Sequence, residues 1–152
     1  MNEILAQVII GHLVGDFLFQ SKEMALRKSE RGWLGFWLCT LHCLTYTGSF
    51  MCCLVYAAML LASLGVTELP VFNLTILAVG IFLPHWIIDR YSLAHVWLKF
   101  FKGRTFESAY ASTSYRELDL AFTCIVYTVV DFTLHFITLF IVLELALAYG
   151  GT

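Results

Sequence analysis

The sequence predicts an all-α membrane protein, a four-helix transmembrane bundle, and three observations carry that expectation. Only 13% of the 152 residues are charged and 60% are hydrophobic, against roughly 25% charged in an ordinary soluble domain. Four apolar runs, at about 4–20, 34–64, 71–89 and 118–149, reach or approach the ~20 residues a membrane-spanning helix needs. The runs are continuous rather than alternating, which selects helices over a barrel, the two structures that satisfy every backbone group inside lipid. Together the four runs use up the chain as a single transmembrane domain of 152 residues.

Charge placement orients the bundle. The nine Lys and Arg fall in two clusters: Lys22, Arg27, Lys28 and Arg31 after the first run, and Arg90, Lys99, Lys102, Arg104 and Arg116 between the third and fourth. By the positive-inside rule both loops are cytoplasmic and both termini lie outside, as in a multi-pass protein of the bacterial inner membrane. No Lys or Arg precedes the first run and no small-x-small site follows it, so it is expected to be a retained span rather than a signal peptide. The five cysteines, Cys39, Cys43, Cys52, Cys53 and Cys124, all lie within the runs and form neither a disulfide framework nor a CxxC zinc pattern. They read as buried free thiols acting as small apolar residues.

In order along the chain, the first helix carries Gly11 and Gly15, a small-xxx-small pair that lets a neighbouring helix approach closely. Residues 21–33 mix charge with Met24, Leu26 and Trp33 and predict a short surface helix or loop. The second helix opens on Trp33, Phe36 and Trp37 at headgroup level and holds His42 about two turns in, flanked by Cys39 and Cys43. A short hairpin around Gly65 to Pro70 leads to the third helix, where Pro84 removes a backbone hydrogen bond and predicts a kink near Gly80. Residues 91–102 alternate Leu93, Val96, Trp97, Phe100 and Phe101 with His95, Lys99 and Lys102. That pattern predicts an amphipathic helix lying in the interface between helices three and four, with His95 an interfacial residue. A polar stretch, 103–113, follows, and Ser114 with Glu117 matches a capping box opening the last helix.

The chemistry lies in polar residues placed at helical spacing inside the apolar runs. His12, Asp16 and Gln20 recur every fourth residue, about 40° apart around a helix and about 6 Å along it, so all three can face one cavity. His85 with Asp89 repeats the spacing, and Asp131 with His135 repeats it in reverse. Because the fourth helix runs the opposite way, all three pairs put Asp nearer the cytoplasm and His deeper. His42 falls at a comparable depth. Each half of the chain thus holds an inward helix with HxxxD, a basic loop and an outward helix with another histidine, the pattern of a parallel repeat with the site at its interface.

Each ionisable residue at mid-bilayer costs ~2.5 to 3.5 kcal/mol on insertion scales, whereas an interhelical polar contact returns only ~0.6 to 2 kcal/mol. A bound cation offsets the cost better. The seven residues His12, Asp16, His42, His85, Asp89, Asp131 and His135 suit zinc, manganese or iron, one ion or two. Aspartates not used as ligands can orient imidazoles or serve as general base, which makes Asp16, Asp89 and Asp131 the candidate catalytic residues. Gln20 and Arg90 are the candidate substrate contacts, Arg90 through its fork of donors to a phosphate or else as a snorkelling anchor. A polar or proton-conducting cluster, and haem held by paired histidines, remain open on the same residues.

At His12-Leu13-Val14-Gly15-Asp16-Phe17-Leu18-Phe19-Gln20 the chain resembles a family of small bacterial and phage membrane proteins of unknown function with an HLxGDFxxQ first helix. More distantly it is similar to the LexA-regulated membrane-bound metal-dependent hydrolases, a resemblance that implies a metal-dependent hydrolase. The expected activity is hydrolysis of a lipid-linked or phosphate-bearing substrate at the inner leaflet, with membrane lipid as partner. A cation or proton transporter, and a non-enzymatic subunit with a structural metal in a homo-oligomer or beside another membrane protein, are the alternatives. No nucleic-acid motif is present.

Overall fold

The computed structural model describes residues 2–65 and 73–150, with side chains from residue 6 onward. The described residues form helices and no strands: α1 (Asn2–Leu13), a π-helical segment (Val14–Leu18), α2 (Lys22–Arg27), α3 (Trp33–Ser63), α4 (Leu74–Arg90), α5 (Leu93–Lys102), α6 (Phe106–Tyr110) and α7 (Arg116–Ala148). The expected hairpin between Gly65 and Pro70 and the start of the third run at Val71 lie largely outside the described residues.

Two helices, α3 and α7, are long and apolar enough to cross a membrane, and α4 with α5 makes a third if that pair, bent by 55°, is one span. Four full spans are therefore not established. The reason is length: α4 has 17 residues, or about 26 Å at 1.5 Å per residue, short of the ~30 Å hydrocarbon layer. The first run is helical over Asn2–Leu13 and continues as the π-helical Val14–Leu18, ending before Gln20.

Local chemistry accounts for the boundaries. Ser21 caps α2 by accepting a hydrogen bond from the Met24 N–H at 3.2 Å, and Asn73 caps α4 by accepting from the Ile76 N–H at 3.1 Å; each satisfies a donor the first turn leaves open. The expected capping box at Ser114 and Glu117 is not formed: α7 opens on Tyr115 with no side-chain cap. A capping box forms instead at Thr105 and Ser108, opening the short α6 within the stretch read as polar loop. Helix α4 runs unbroken through Pro84, and the sharp turn comes at Ser92, which sits in the left-handed region (φ 47°) between α4 and α5.

The main helices pack as α1 on α3, α3 on α4 and α4 on α7. The seam from α7 back to α1 is bridged by aromatic rings, Phe17 on Phe132 at 5.4 Å and His12 on Phe132 and Phe136 at 5.0 and 4.7 Å. An apolar core of Val8, Phe50, Leu77, Ile81, Leu139, Val142, Leu143 and Ala146 fills the end of the bundle away from the basic loops. At the other end, Ala94 and Leu98 of α5 pack against Val130 of α7, while Phe100 and Phe101 stay exposed, as an interfacial amphipathic helix requires. Cys39 and Cys43 are buried as expected, but Cys52 and Cys124 are exposed, because they lie on the outer faces of α3 and α7, where a lipid-facing helix needs no burial to be apolar.

Gly15 and Gly80 set two of the close approaches between helices. A Cβ on Gly15 would meet the Tyr46 ring at 2.5 Å, and one on Gly80 would meet the Val142 methyls at 2.8 Å. At Gly48 nothing lies within 4 Å of the same atom. Overpacking of this kind costs about 1–3 kcal/mol, whereas alanine replacing an unobstructed helical glycine gains roughly 0.5–1 kcal/mol. Thermal unfolding in detergent should therefore show Gly15→Ala melting below the wild-type protein and Gly48→Ala at or above it; equal melting of both variants would refute this packing.

Candidate metal centre

The centre is assembled from four helices. Helix α1 supplies His12 and its π-helical continuation Asp16; α3 supplies His42; α4 supplies His85 and Asp89; α7 supplies Asp131 and His135. All four histidines and Asp89 are buried, and Asp16 keeps a small exposed edge. The π turn, closed by the Phe19 N–H donating to the Val14 carbonyl at 3.1 Å, widens the helix where it presents Asp16. Such turns recur at functional sites.

Two imidazoles face each other at the middle. His42 Nε2 and His85 Nε2 lie 3.0 Å apart, and Asp16 Oδ1 lies 3.3 Å from the first and 3.6 Å from the second. A tetrahedron with metal–ligand distances of about 2.0–2.1 Å has edges of about 3.3–3.4 Å, so these three atoms match one face of a tetrahedral site. Asp89 Oδ2 approaches the same pair at 3.1 and 3.2 Å, and Gln20 Nε2 reaches His42 Nε2 at 3.1 Å. One ring nitrogen carries either a proton or a lone pair, so His42 Nε2 can satisfy only one of its four polar neighbours. A cation between them would satisfy several together. Asp16, His42 and His85 form one group with atoms spaced to hold an ion, and Cys43, His85 and Asp89 form another.

Unpaired atoms point the same way. Among the described residues, His12 Nε2, Asp16 Oδ1, His42 Nδ1, Thr47 Oγ1, Asp89 Oδ2 and His135 Nε2 are buried without a hydrogen-bond partner, a state that ordinarily costs ~1–3 kcal/mol per atom. Four of these six atoms belong to the carboxylate oxygens or ring nitrogens that converge here.

The remaining expected residues take distinct places. His135 Nδ1 donates to the Asp131 carbonyl at 2.9 Å, and the Asp131 carboxylate stands 3.7 Å from that same nitrogen. Asp131 therefore sits behind His135, where it orients the ring. Arg90 Nη1 donates to the carbonyl of Glu30 at 2.7 Å and lies 3.5 Å from that of Lys28, tying the end of α4 to the loop after α2 as an anchor. A cavity of about 200 Å³ opens beside the centre between the π turn, α2 and α7; Asp16, Gln20, Lys28 and Asp131 line it together with Phe17, Tyr127 and Phe132. Gln20 thus forms part of the wall of this cavity.

Lys28 and Tyr46 are the participants the sequence alone did not reveal. Lys28 reaches in from the end of α2, its Nζ 2.7 Å from Asp89 Oδ2, a charge contact off the angle of a hydrogen bond. Burial alone would lower its pKa, but the carboxylates of Asp89, Asp16 and Asp131 outweigh that and hold it above the usual lysine value. The Tyr46 hydroxyl is hydrogen-bonded to His12 Nδ1 at 2.8 Å, and its ring packs against His85 with centroids 3.9 Å apart and planes tilted by 34°. The spacing of Tyr46 one turn after His42 is the signal that marks it; Lys28 is one cation among four in a basic loop and carries no such mark.

The fold and centre define a helical protein with candidate membrane spans and a buried His/Asp cluster at one end of its bundle. The chain belongs to the family described as "Protein of unknown function (DUF3307)", whose model matches residues 4–150. No curated protein and no solved structure matches it.

Removing Lys28 separates charge balance from packing. In Lys28→Met the Asp89 carboxylate loses its buried counter-charge, a change that costs ~3–5 kcal/mol where nothing replaces it. The metal-free variant should melt well below wild type, and added zinc should raise its melting temperature by more than it raises that of wild type; an equal increment in both would refute this role.

Proposed function

We propose that the protein is a metal-dependent hydrolase of the bacterial inner membrane, acting at the cytoplasmic leaflet on a lipid-linked or phosphate-bearing substrate. The observation that carries this reading is the triangle of Asp16 Oδ1, His42 Nε2 and His85 Nε2, with edges of 3.0–3.6 Å beside a cavity lined by Lys28, Gln20 and Asp131. Two imidazoles with a carboxylate are the ligand set of catalytic zinc sites and of 2-His-1-carboxylate iron sites, and with Asp89 as a further ligand a five- or six-coordinate ion still keeps a position for water or substrate. In this reading α1 with its π turn, and α4, complete a four-helix bundle as short spans, with both termini outside and both basic loops cytoplasmic.

A divalent cation held there supplies Lewis acidity, lowering the pKa of water toward 7 and polarising a phosphoryl or acyl oxygen. The chain's own residues do the rest. Water's oxygen bonds to the phosphorus or acyl carbon as the bond to the leaving oxygen breaks; Asp131, in the cavity wall, takes the proton that water gives up. Lys28, kept charged by the carboxylates around it, stabilises the negative charge on the leaving oxygen, which takes its proton from solvent. Gln20, 3.1 Å from His42 Nε2, orients the substrate. Phe17, Tyr127 and Phe132 give the cavity an apolar rim, fit for an acyl chain lying along the α1–α7 seam.

The same residues would serve a transporter, but a transport path needs polar groups on both sides of the centre. The apolar core of Val8, Phe50, Leu77, Leu139 and Val142 beyond it favours a pocket open at one end.

Detergent-purified protein loaded with zinc, manganese or iron should release phosphate or alcohol from a panel of phosphoesters and phospholipids. Asp16→Ala and His85→Ala should lose both metal and turnover, whereas Asp131→Asn should keep its metal and lose about 10²–10⁴-fold in kcat, the usual worth of general base catalysis. Metal-loaded protein that cleaves nothing in the panel would sink the hydrolase reading.

A further inference from the structure

We infer that the centre takes a second divalent cation, on His12 and His135, and that the carboxylates of Asp16 and Asp89 are shared between the two ions. This rests on the reading of the first ion at His42 and His85. Each carboxylate turns one oxygen to that first pair: Asp16 through Oδ1, Asp89 through Oδ2. Their other oxygens face the remaining two histidines. Asp16 Oδ2 lies 3.5 Å from His12 Nε2, and Asp89 Oδ1 lies 3.9 Å from His135 Nε2. Both ring nitrogens are buried without a hydrogen-bond partner.

In the neutral ring, tautomer chemistry excludes a simple hydrogen bond for one of them. His135 Nδ1 points at a carbonyl oxygen, which can only accept, so in the neutral ring the proton is on Nδ1 and Nε2 offers a lone pair. A lone pair facing a carboxylate oxygen at 3.9 Å is repulsive unless a cation stands between them. His12 is oriented in the same manner, through its Nδ1 contact with the Tyr46 hydroxyl at 2.8 Å. A ring fixed at one nitrogen and bare at the other is how metal-ligating histidines are held.

The repeat makes the second position the counterpart of the first. Exchanging the two halves of the chain turns His12 into His85, Asp16 into Asp89 and His42 into His135. The pair His42 and His85 then becomes His135 and His12, and the two carboxylates exchange places. Both pairs take one histidine from an HxxxD helix and one from the helix that follows in the other half.

Charge then narrows the substrate class. Two dications and Lys28, set against Asp16, Asp89 and Asp131, leave a surplus of about two positive charges in a low-dielectric site. A phosphate monoester, carrying close to two negative charges at neutral pH, neutralises it where an uncharged ester does not. Paired ions about 3.5–4 Å apart also clamp both the attacking and the leaving oxygen of a phosphoryl transfer.

The test is to load the full chain in detergent with manganese(II), remove free metal, count manganese per chain and record the electron paramagnetic resonance spectrum. About two equivalents with an exchange-coupled spectrum are expected, falling in His135→Ala to about one with the hyperfine pattern of isolated ions. One equivalent with an isolated-ion spectrum in the wild-type protein overturns the second site and leaves the first standing. Two equivalents without coupling overturn the shared carboxylates. No bound manganese or zinc in folded wild-type protein overturns the first site and this one together. Because the wild-type spectrum decides the matter alone, poor folding of the variant does not blunt the experiment.

Discussion

Two carboxylates aimed at the same two buried imidazoles set the terms for the rest of this structure. Asp16 and Asp89 each approach His42 and His85 within 3.6 Å, and like charges so placed need a cation between or beside them. Lys28 is the one the chain itself provides. Several otherwise unrelated features serve that requirement. Arg90 fastens the loop from which Lys28 reaches in, Gly15 makes room for the Tyr46 ring, and Tyr46 in turn holds His12 by one nitrogen.

Much of the centre was legible because helical spacing survives burial. HxxxD at His12 and at His85, its reverse at Asp131, and His42 alone among the apolar residues of α3 were enough to expect one cluster, and the structure gathers all seven residues. What spacing could not supply was the order within the cluster. Asp131 has the same i, i+4 relation to a histidine as Asp16 and Asp89, yet its carboxylate meets the Nδ1 side of His135, a distinction of side-chain direction that no periodicity encodes. Lys28 was hidden for a different reason: a lysine in a basic loop is ordinarily solvated, and only the path of α2 across the bundle end turns it inward.

The fold was legible in class and less so in detail. Hydropathy located the four apolar runs but not where each stops being an α-helix, because π and α turns draw on the same residues. The capping signal at Ser114 and Glu117 failed, while Thr105 and Ser108, which reciprocate each other's backbone contacts, formed a box that the apolar pattern gave no reason to look for. The turn at Ser92, at the end of α4, where a left-handed residue redirects the chain onto the face of α7, carried no signal of the kind Pro84 gives.

The π turn at Val14–Leu18 has a consequence for how this segment tolerates change in length. A π turn is one residue longer than the α turn it replaces, so the segment between His12 and Ser21 carries a surplus residue. Deleting that residue would return the helix to ordinary pitch, four residues then covering about the rotation that five cover now. Gln20 would keep its face toward His42, while the residues of the turn itself, Asp16 among them, would shift around the axis. A residue removed elsewhere in the bundle helices, where no π turn absorbs it, would instead swing everything beyond it by about 100°. The turn is therefore where this segment can change its length and keep its facing, and what changes is the side chain it presents.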